Sequence, residues 1–251
     1  MLELQGITQV FGGVTALSNI TCTIKPDAVT GVIRPNGAGK TTLFNIITGL
    51  YTQTRGSVLF KGENISGIPA EQLAKRGMIR TFQNIELFGT MTVLENVMIG
   101  LHSRSKSGLL SCSFAMPWAR SEERRIRSEA MEWLAFVGIE SLASVQASNL
   151  PFGKGRLLEI ARALASKPSM LLMDEPAAGL NSQETQTLAV LIRRIRDLGV
   201  TVVLVEHDME LVMDICDRIL VLNLGTLLAE GTPREIQDNP EVIAAYLGED
   251  Q

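Results

Sequence analysis

Residues 29–48 restrict the possible folds more than any other stretch. A compact apolar run over 29–33 ends in a glycine-rich turn, 34–39, and a helical pattern follows from Lys40 to about residue 48. Leu43, Ile46 and Ile47 share one face of that predicted helix. Strand, glycine-rich loop and helix in this order form the frame a phosphate-binding loop needs. Asn36, Gly37, Ala38, Gly39, Lys40, Thr41 and Thr42 supply most of its residues. Backbone N–H groups there converge on β- and γ-phosphates at a helix N-terminus. Lys40 would neutralise phosphate charge, and the Thr41 hydroxyl would reach Mg2+. The full pattern places a glycine six residues before the lysine, where it permits a tight turn. This chain carries Arg34 there, followed by Pro35.

The rest of the chain supports an alternating architecture. Residues 2–8, 20–24 and 57–60 read as strands before the middle region, with a turn over 61–64. From about 91 to 164 the β signal fades. Ile126, Ala130, Leu134 and Val137 form one stripe of a helix over 122–137, and Gly138 suits the left-handed position past its end. Residues 103–113 are serine-rich and read as a loop. We read 85–164 as a helical insertion between two parts of an α/β core, 1–84 and 165–251, within one domain. Beyond it, 170–173 and 200–205 are buried strands. Asn181 with Glu184 makes a capping box before a helix carrying Leu188, Leu191, Ile192, Ile195 and Leu198, closed by Gly199. Residues 218–222 and 226–230 form a hairpin around Leu224-Gly225, and Thr232, Pro233 and Glu235 open a short helix. Strands alternating with helices predict a largely parallel, doubly wound sheet.

Composition removes several classes. Of 251 residues, 45% are hydrophobic and the net charge is −4. That balance disfavours disorder, and it lacks the basic excess of a general nucleic-acid binder. Cys22, Cys112 and Cys216 lie far apart and read as free, buried thiols in a reducing compartment. No uncharged apolar run reaches the ~18 residues a membrane span requires. The first residues lack the basic-then-apolar pattern of a secretory signal. The expected location is therefore cytoplasmic, with any membrane role exerted through a partner.

Two further segments carry chemistry. An apolar run delivers Asp174 and Glu175 at its end. Buried carboxylates are costly without partners; Asp174 suits Mg2+ through a water and Glu175 suits polarising an attacking water. His207 closes the strand over 200–205. Parallel strand ends gather at the carboxyl edge of such a sheet, beside the phosphate loop, which makes His207 a candidate γ-phosphate contact.

Taken in order, these residues resemble the ABC transporter ATPases over nearly the whole chain. The resemblance implies a P-loop NTPase core, a mostly parallel sheet flanked by helices, with an N-terminal antiparallel β part and an inserted helical subdomain. It implies that Phe11 stacks on adenine and that Gln83, in Thr81-Phe82-Gln83-Asn84, touches Mg2+ and senses a transmembrane partner. Asn149, Leu150, Pro151, Phe152, Gly153, Lys154 and Gly155, followed by Arg156–Leu164, resemble the family signature and its helix, which completes the ATP site of the opposite subunit. Residues 178–181 occupy the D-loop, and Glu206-His207-Asp208 the switch histidine. Residues 80–88, 174–181 and the C-terminal stretch from Ala229 resemble ATP-binding subunits of branched-chain amino-acid importers. The implied ligands are ATP and Mg2+. The implied partners are transmembrane permease subunits, a second ATP-binding subunit of the same or a different chain and, indirectly, a periplasmic or extracellular solute-binding protein. The implied location is peripheral, at the cytoplasmic face of the plasma (inner) membrane. Pro151 and Lys154 depart from the usual signature, and Asn181 from the usual D-loop aspartate. Together with the loop arginine, Lys154 leaves open an alternative, a degenerate subunit that binds nucleotide but hydrolyses it weakly. A nucleic-acid-directed ABC ATPase fits less well, since those usually carry two ATPase halves or a basic or zinc-bearing insertion; a P-loop kinase fits less well because the signature helix and D-loop have no place in it.

Overall fold

The computed structural model describes residues 1–33, 39–102 and 117–247. Arg34, Pro35, Asn36, Gly37, Ala38, Cys112 and the serine-rich segment 103–113 lie outside the described residues. In chain order the strands are β1 (Leu2–Phe11), β2 (Val14–Ile24), β3 (Val29–Ile33), β4 (Arg55–Phe60), β5 (Glu63–Asn64), β6 (Met78–Thr81), β7 (Met170–Asp174), β8 (Thr201–Val205), β9 (Arg218–Asn223) and β10 (Thr226–Gly231). The helices are α1 (Lys40–Ile47), α2 (Ala70–Lys75), α3 (Val93–His102), α4 (Pro117–Val137), α5 (Phe152–Ala165), α6 (Ser182–Asp197), α7 (Met209–Ile215), α8 (Pro233–Gln237) and α9 (Pro240–Leu247).

The described strands form two sheets. One is antiparallel, in the order β2-β1-β4-β5; the other runs β10-β9-β3-β8-β7-β6. Within the second, β9, β3, β8, β7 and β6 are parallel, and β10 joins as a hairpin. Strand β7 shows why its sequence is apolar throughout. Met170 and Leu172 face a core shared with α1 and the antiparallel sheet, while Leu171 and Met173 face the core beneath the helices. A strand covered on both faces needs a continuous apolar run. Helix α1 buries Leu43, Phe44, Ile46 and Ile47 between the two sheets, which fixes the phosphate-loop lysine at its first position.

Local expectations meet their physical reasons here. Ile126, Ala130, Leu134 and Val137 are all buried on α4, and Gly138 closes it at φ 75. Both reciprocal halves of the capping boxes form, Asn181 with Glu184 and Thr232 with Glu235. Leu224 and Gly225 take the positive φ values of the β9–β10 turn. Cys22 and Cys216 are free and buried, and burial pushes each thiol up to about 12. One stripe assignment needs correction. Leu198 is exposed, because it caps α6 after the helix has left the core. Strand β6 went unread in the sequence; its four residues are too few to show a period, and pairing to β7 defines it.

Candidate nucleotide site

The register of the parallel sheet assembles the site. Val32 pairs with Val205, and Val205 with Asp174, so β3, β8 and β7 end level. Thr81 pairs with Met173, bringing the end of β6 to the same edge. The residues that follow each strand therefore meet: Lys40 after β3, Glu175 after β7, His207 after β8 and Gln83 after β6. Ligand sites of open α/β sheets lie at this carboxyl edge.

The meeting produces a chain of polar contacts. Lys40 is buried, and its Nζ lies 3.2 Å from His207 Nε2 and 3.4 Å from Nδ1. His207 Nε2 lies 2.7 Å from Glu175 Oε1. A carboxylate only accepts and an ammonium only donates. The tautomer that satisfies both neighbours carries its proton on Nε2 and offers Nδ1 to the lysine. Gln83 Nε2 donates to Glu175 Oε2 at 2.7 Å. Glu175 itself has φ 45, a left-handed conformation that costs a non-glycine residue about 1–3 kcal/mol. Its N–H donates to Val205 O at 2.9 Å, which holds that turn against β8.

Asp174 has a partner the sequence did not disclose. Arg80 donates to Asp174 Oδ2 at 2.6 Å and, through its other terminal nitrogen, to Asn45 Oδ1 at 2.7 Å and Thr48 Oγ1 at 3.3 Å on α1. The guanidinium lies 5.7 Å from the Phe44 ring centre and 5.0 Å from that of Phe82. Arg80 thus ties the carboxyl end of β7 to the helix that carries Lys40. Glu206 was likewise unassigned beyond its place beside the histidine. It is buried and accepts from Ala177 N at 2.7 Å, His207 N at 3.0 Å and Asp208 N at 3.4 Å. Burial pushes its carboxyl above the usual range, and those N–H groups offset part of the rise.

The remaining candidates divide into two places. Phe11 is exposed and packs edge-to-face on Tyr51, ring centres 5.6 Å apart; Tyr51 was not singled out in the sequence. Pro151, Phe152 and Lys154 are exposed, and they lie beside the D-loop rather than joining the Lys40 cluster. A Cβ added to Gly179 would come 2.9 Å from the Phe152 ring, and one added to Gly153 would come 2.2 Å from Glu184 Oε1. Gly39, Thr41 and Thr42 open α1 beside Lys40.

The two-sheet frame, the strand-end cluster and the helical insertion together define an ATP-binding cassette. The profile described as ABC transporter matches residues 17–178, and the chain belongs to that family, as one of its ATPase subunits. A second profile, described as Branched-chain amino acid ATP-binding cassette transporter, matches residues 226–251. The chain is 45% identical to the high-affinity branched-chain amino acid transport ATP-binding protein LivG of Escherichia coli (strain K12), over 99% of this chain and 98% of that protein. It is also 45% identical, with the same coverage, to the corresponding protein BraF of Pseudomonas aeruginosa. Among solved structures it resembles a nucleotide-free ATP-binding cassette from an ABC transporter, with TM-score 0.85, 32% identity and 99% of each chain covered. It also resembles a dimeric post-hydrolysis cassette bound to ADP and Pi, with TM-score 0.78, 27% identity, and 93% and 99% of the two chains covered.

Proposed function

We propose that this chain hydrolyses Mg-ATP to drive uptake of branched-chain or related amino acids through a membrane permease. The observation that carries the catalytic part is the contact chain from Lys40 through His207 and Glu175 to Gln83. Lys40 and the loop before it hold the phosphates, and Phe11 meets the adenine. Glu175 orients the attacking water, and His207 steadies charge on the γ-phosphate. The donors available to Mg2+ are hard oxygens, from the Thr41 hydroxyl, the Gln83 amide and Asp174, and this set suits that ion. Arg80, bonded to Asp174 Oδ2, fixes the orientation of the carboxylate that would serve the ion. The ion would supply charge neutralisation between the phosphates.

The exposure of Pro151, Phe152 and Lys154 supports a head-to-tail pair in which these residues complete the ATP site of a second ATP-binding subunit. The helical segment 85–164 is the unit that moves on closure. A groove of about 1000 Å3 runs between β6, α3 and α5, lined by Ile79, Phe82, Leu87, Phe88, Ile99 and Arg162 among others. Among the described residues no helix is long and apolar enough to cross a membrane. The groove is where a permease segment docks, and the solute-binding protein acts through that permease. The names of the full-length relatives support the solute assignment. Glu175→Gln tests the chemistry: turnover falls by about 100-fold or more while Mg-ATP still binds. Turnover at the parental rate would remove Glu175 from its role.

A further inference from the structure

Arg156 and Glu159 form an ion pair on α5 with almost no exposure, at 2.7 Å. Two charges taken out of water cost several kcal/mol, and such a pair is a weak source of stability compared with apolar residues of equal size. Its geometry points to another use. Arg156 donates through one nitrogen to Phe82 O at 2.8 Å and through the other to Gln83 O at 2.7 Å. Phe82 N–H faces Glu159 Oε1 at 3.4 Å. The pair therefore grips the backbone of two consecutive residues from both its acceptor and donor sides. Gln83, held in this way, places its amide 2.7 Å from Glu175 Oε2. His207 takes the other oxygen. Each Glu175 oxygen thus already accepts from one protein donor, and a water must compete with Gln83 and His207 for the carboxylate.

We infer that Arg156 and Glu159 are positioning residues that hold Gln83 on Glu175, keeping the carboxylate from water until α5 moves. The inference rests on the reading of Glu175 as the water-orienting group. Helix α5 starts at Phe152, so Arg156 stands within one turn of Gly153 and Lys154. A nucleotide engaged by those residues pulls on a rigid helix, and the fork of Arg156 carries the displacement to Gln83. Each subunit's signature thereby reports to that subunit's own glutamate, which links the two ATP sites of a pair.

The test measures ATP hydrolysis by the purified full chain without permease, with melting temperature followed in parallel. Arg156→Lys keeps the charge beside Glu159 and loses the two-carbonyl fork; Arg156→Gln with Glu159→Gln removes both charges. Each is expected to raise kcat about threefold or more with KM for ATP within about twofold. In a Gln83→Ala background the same changes should have almost no further effect, because the route through Gln83 is already cut. An unchanged or lowered kcat, or an equal rise in the Gln83→Ala background, overturns the inference. If the doubly neutral variant does not fold, Arg156→Lys decides. Glu175→Gln, run alongside, separates the two readings: retained turnover there sinks the catalytic assignment and the inference with it, whereas lost turnover with inert Arg156 variants sinks the inference alone.

Discussion

Glu175 and Glu206 follow neighbouring parallel strands, yet side chains meet the first carboxylate and backbone N–H groups the second. Glu175 sits at φ 45 at the end of β7, and its two oxygens meet two side chains from other strand ends. Glu206 is buried and spends both oxygens on the N–H groups of Ala177, His207 and Asp208. It therefore ties the start of the D-loop to the switch histidine. Burial raises its carboxyl above the usual range, so the folded chain keeps that proton to higher pH than the unfolded chain does. The stability this group contributes is complete below its unfolded pKa and is lost as pH rises through the raised folded value. Relative to Glu206→Gln, the parent's melting temperature is expected to fall as pH climbs from about 4.5 toward neutrality. A gap between the two proteins that widens in the parent's favour over that range would contradict the assignment.

At the scale of elements, the signature and the D-loop are packed against each other through missing side chains. Gly153, in the first turn of α5, packs against Glu184, which is also the reciprocal partner in the capping box of α6. An added methyl group at Gly153 would displace Glu184 Oε1 and so disturb the bond that Oε2 of the same carboxylate accepts from Asn181 N–H at 3.0 Å. Gly153→Ala is therefore expected to cost about 1–2 kcal/mol in urea unfolding, roughly the worth of a lost cap plus local repacking. A stability change below about 0.3 kcal/mol would show that Glu184 moves aside freely. Helix α6 itself was readable in advance, from its cap through Ile195, since cap, stripe and closing glycine are all local. Leu198 was misplaced because periodicity cannot show where a core ends.

For the molecule as a whole, the phosphate loop departs from its pattern at Arg34, a position outside the described residues. The Lys40 cluster at the sheet edge forms without reference to it, since register and the burial of α1 place the lysine. Mg-ATP affinity is accordingly expected to lie in the micromolar range both for the parent and for Arg34→Gly, by calorimetry, a binding free energy near 8 kcal/mol. Binding only in the glycine variant would instead favour the degenerate subunit. The same molecular view joins the two halves of the site. Lys40, Glu175 and His207 gather at one edge, and Phe152 and Lys154 are exposed elsewhere; the proposed head-to-tail pairing would bring the two together.

The sequence alone determined those features whose cause is local. The strand-loop-helix frame around Lys40, the stripe of α4, both capping boxes and the β9–β10 turn each arise within a few residues, through side-chain period, cap chemistry and backbone sterics. Tertiary structure decided which distant residues became partners. Arg80 looked like one cation among many until pairing of β6 with β7 set it beside Asp174. Arg156 lay in the helix after the signature and met the carbonyls of Phe82 and Gln83 only when α5 packed against the segment after β6. Contacts of this kind depend on strand register and on closure of long loops, and neither leaves a periodic trace in the chain.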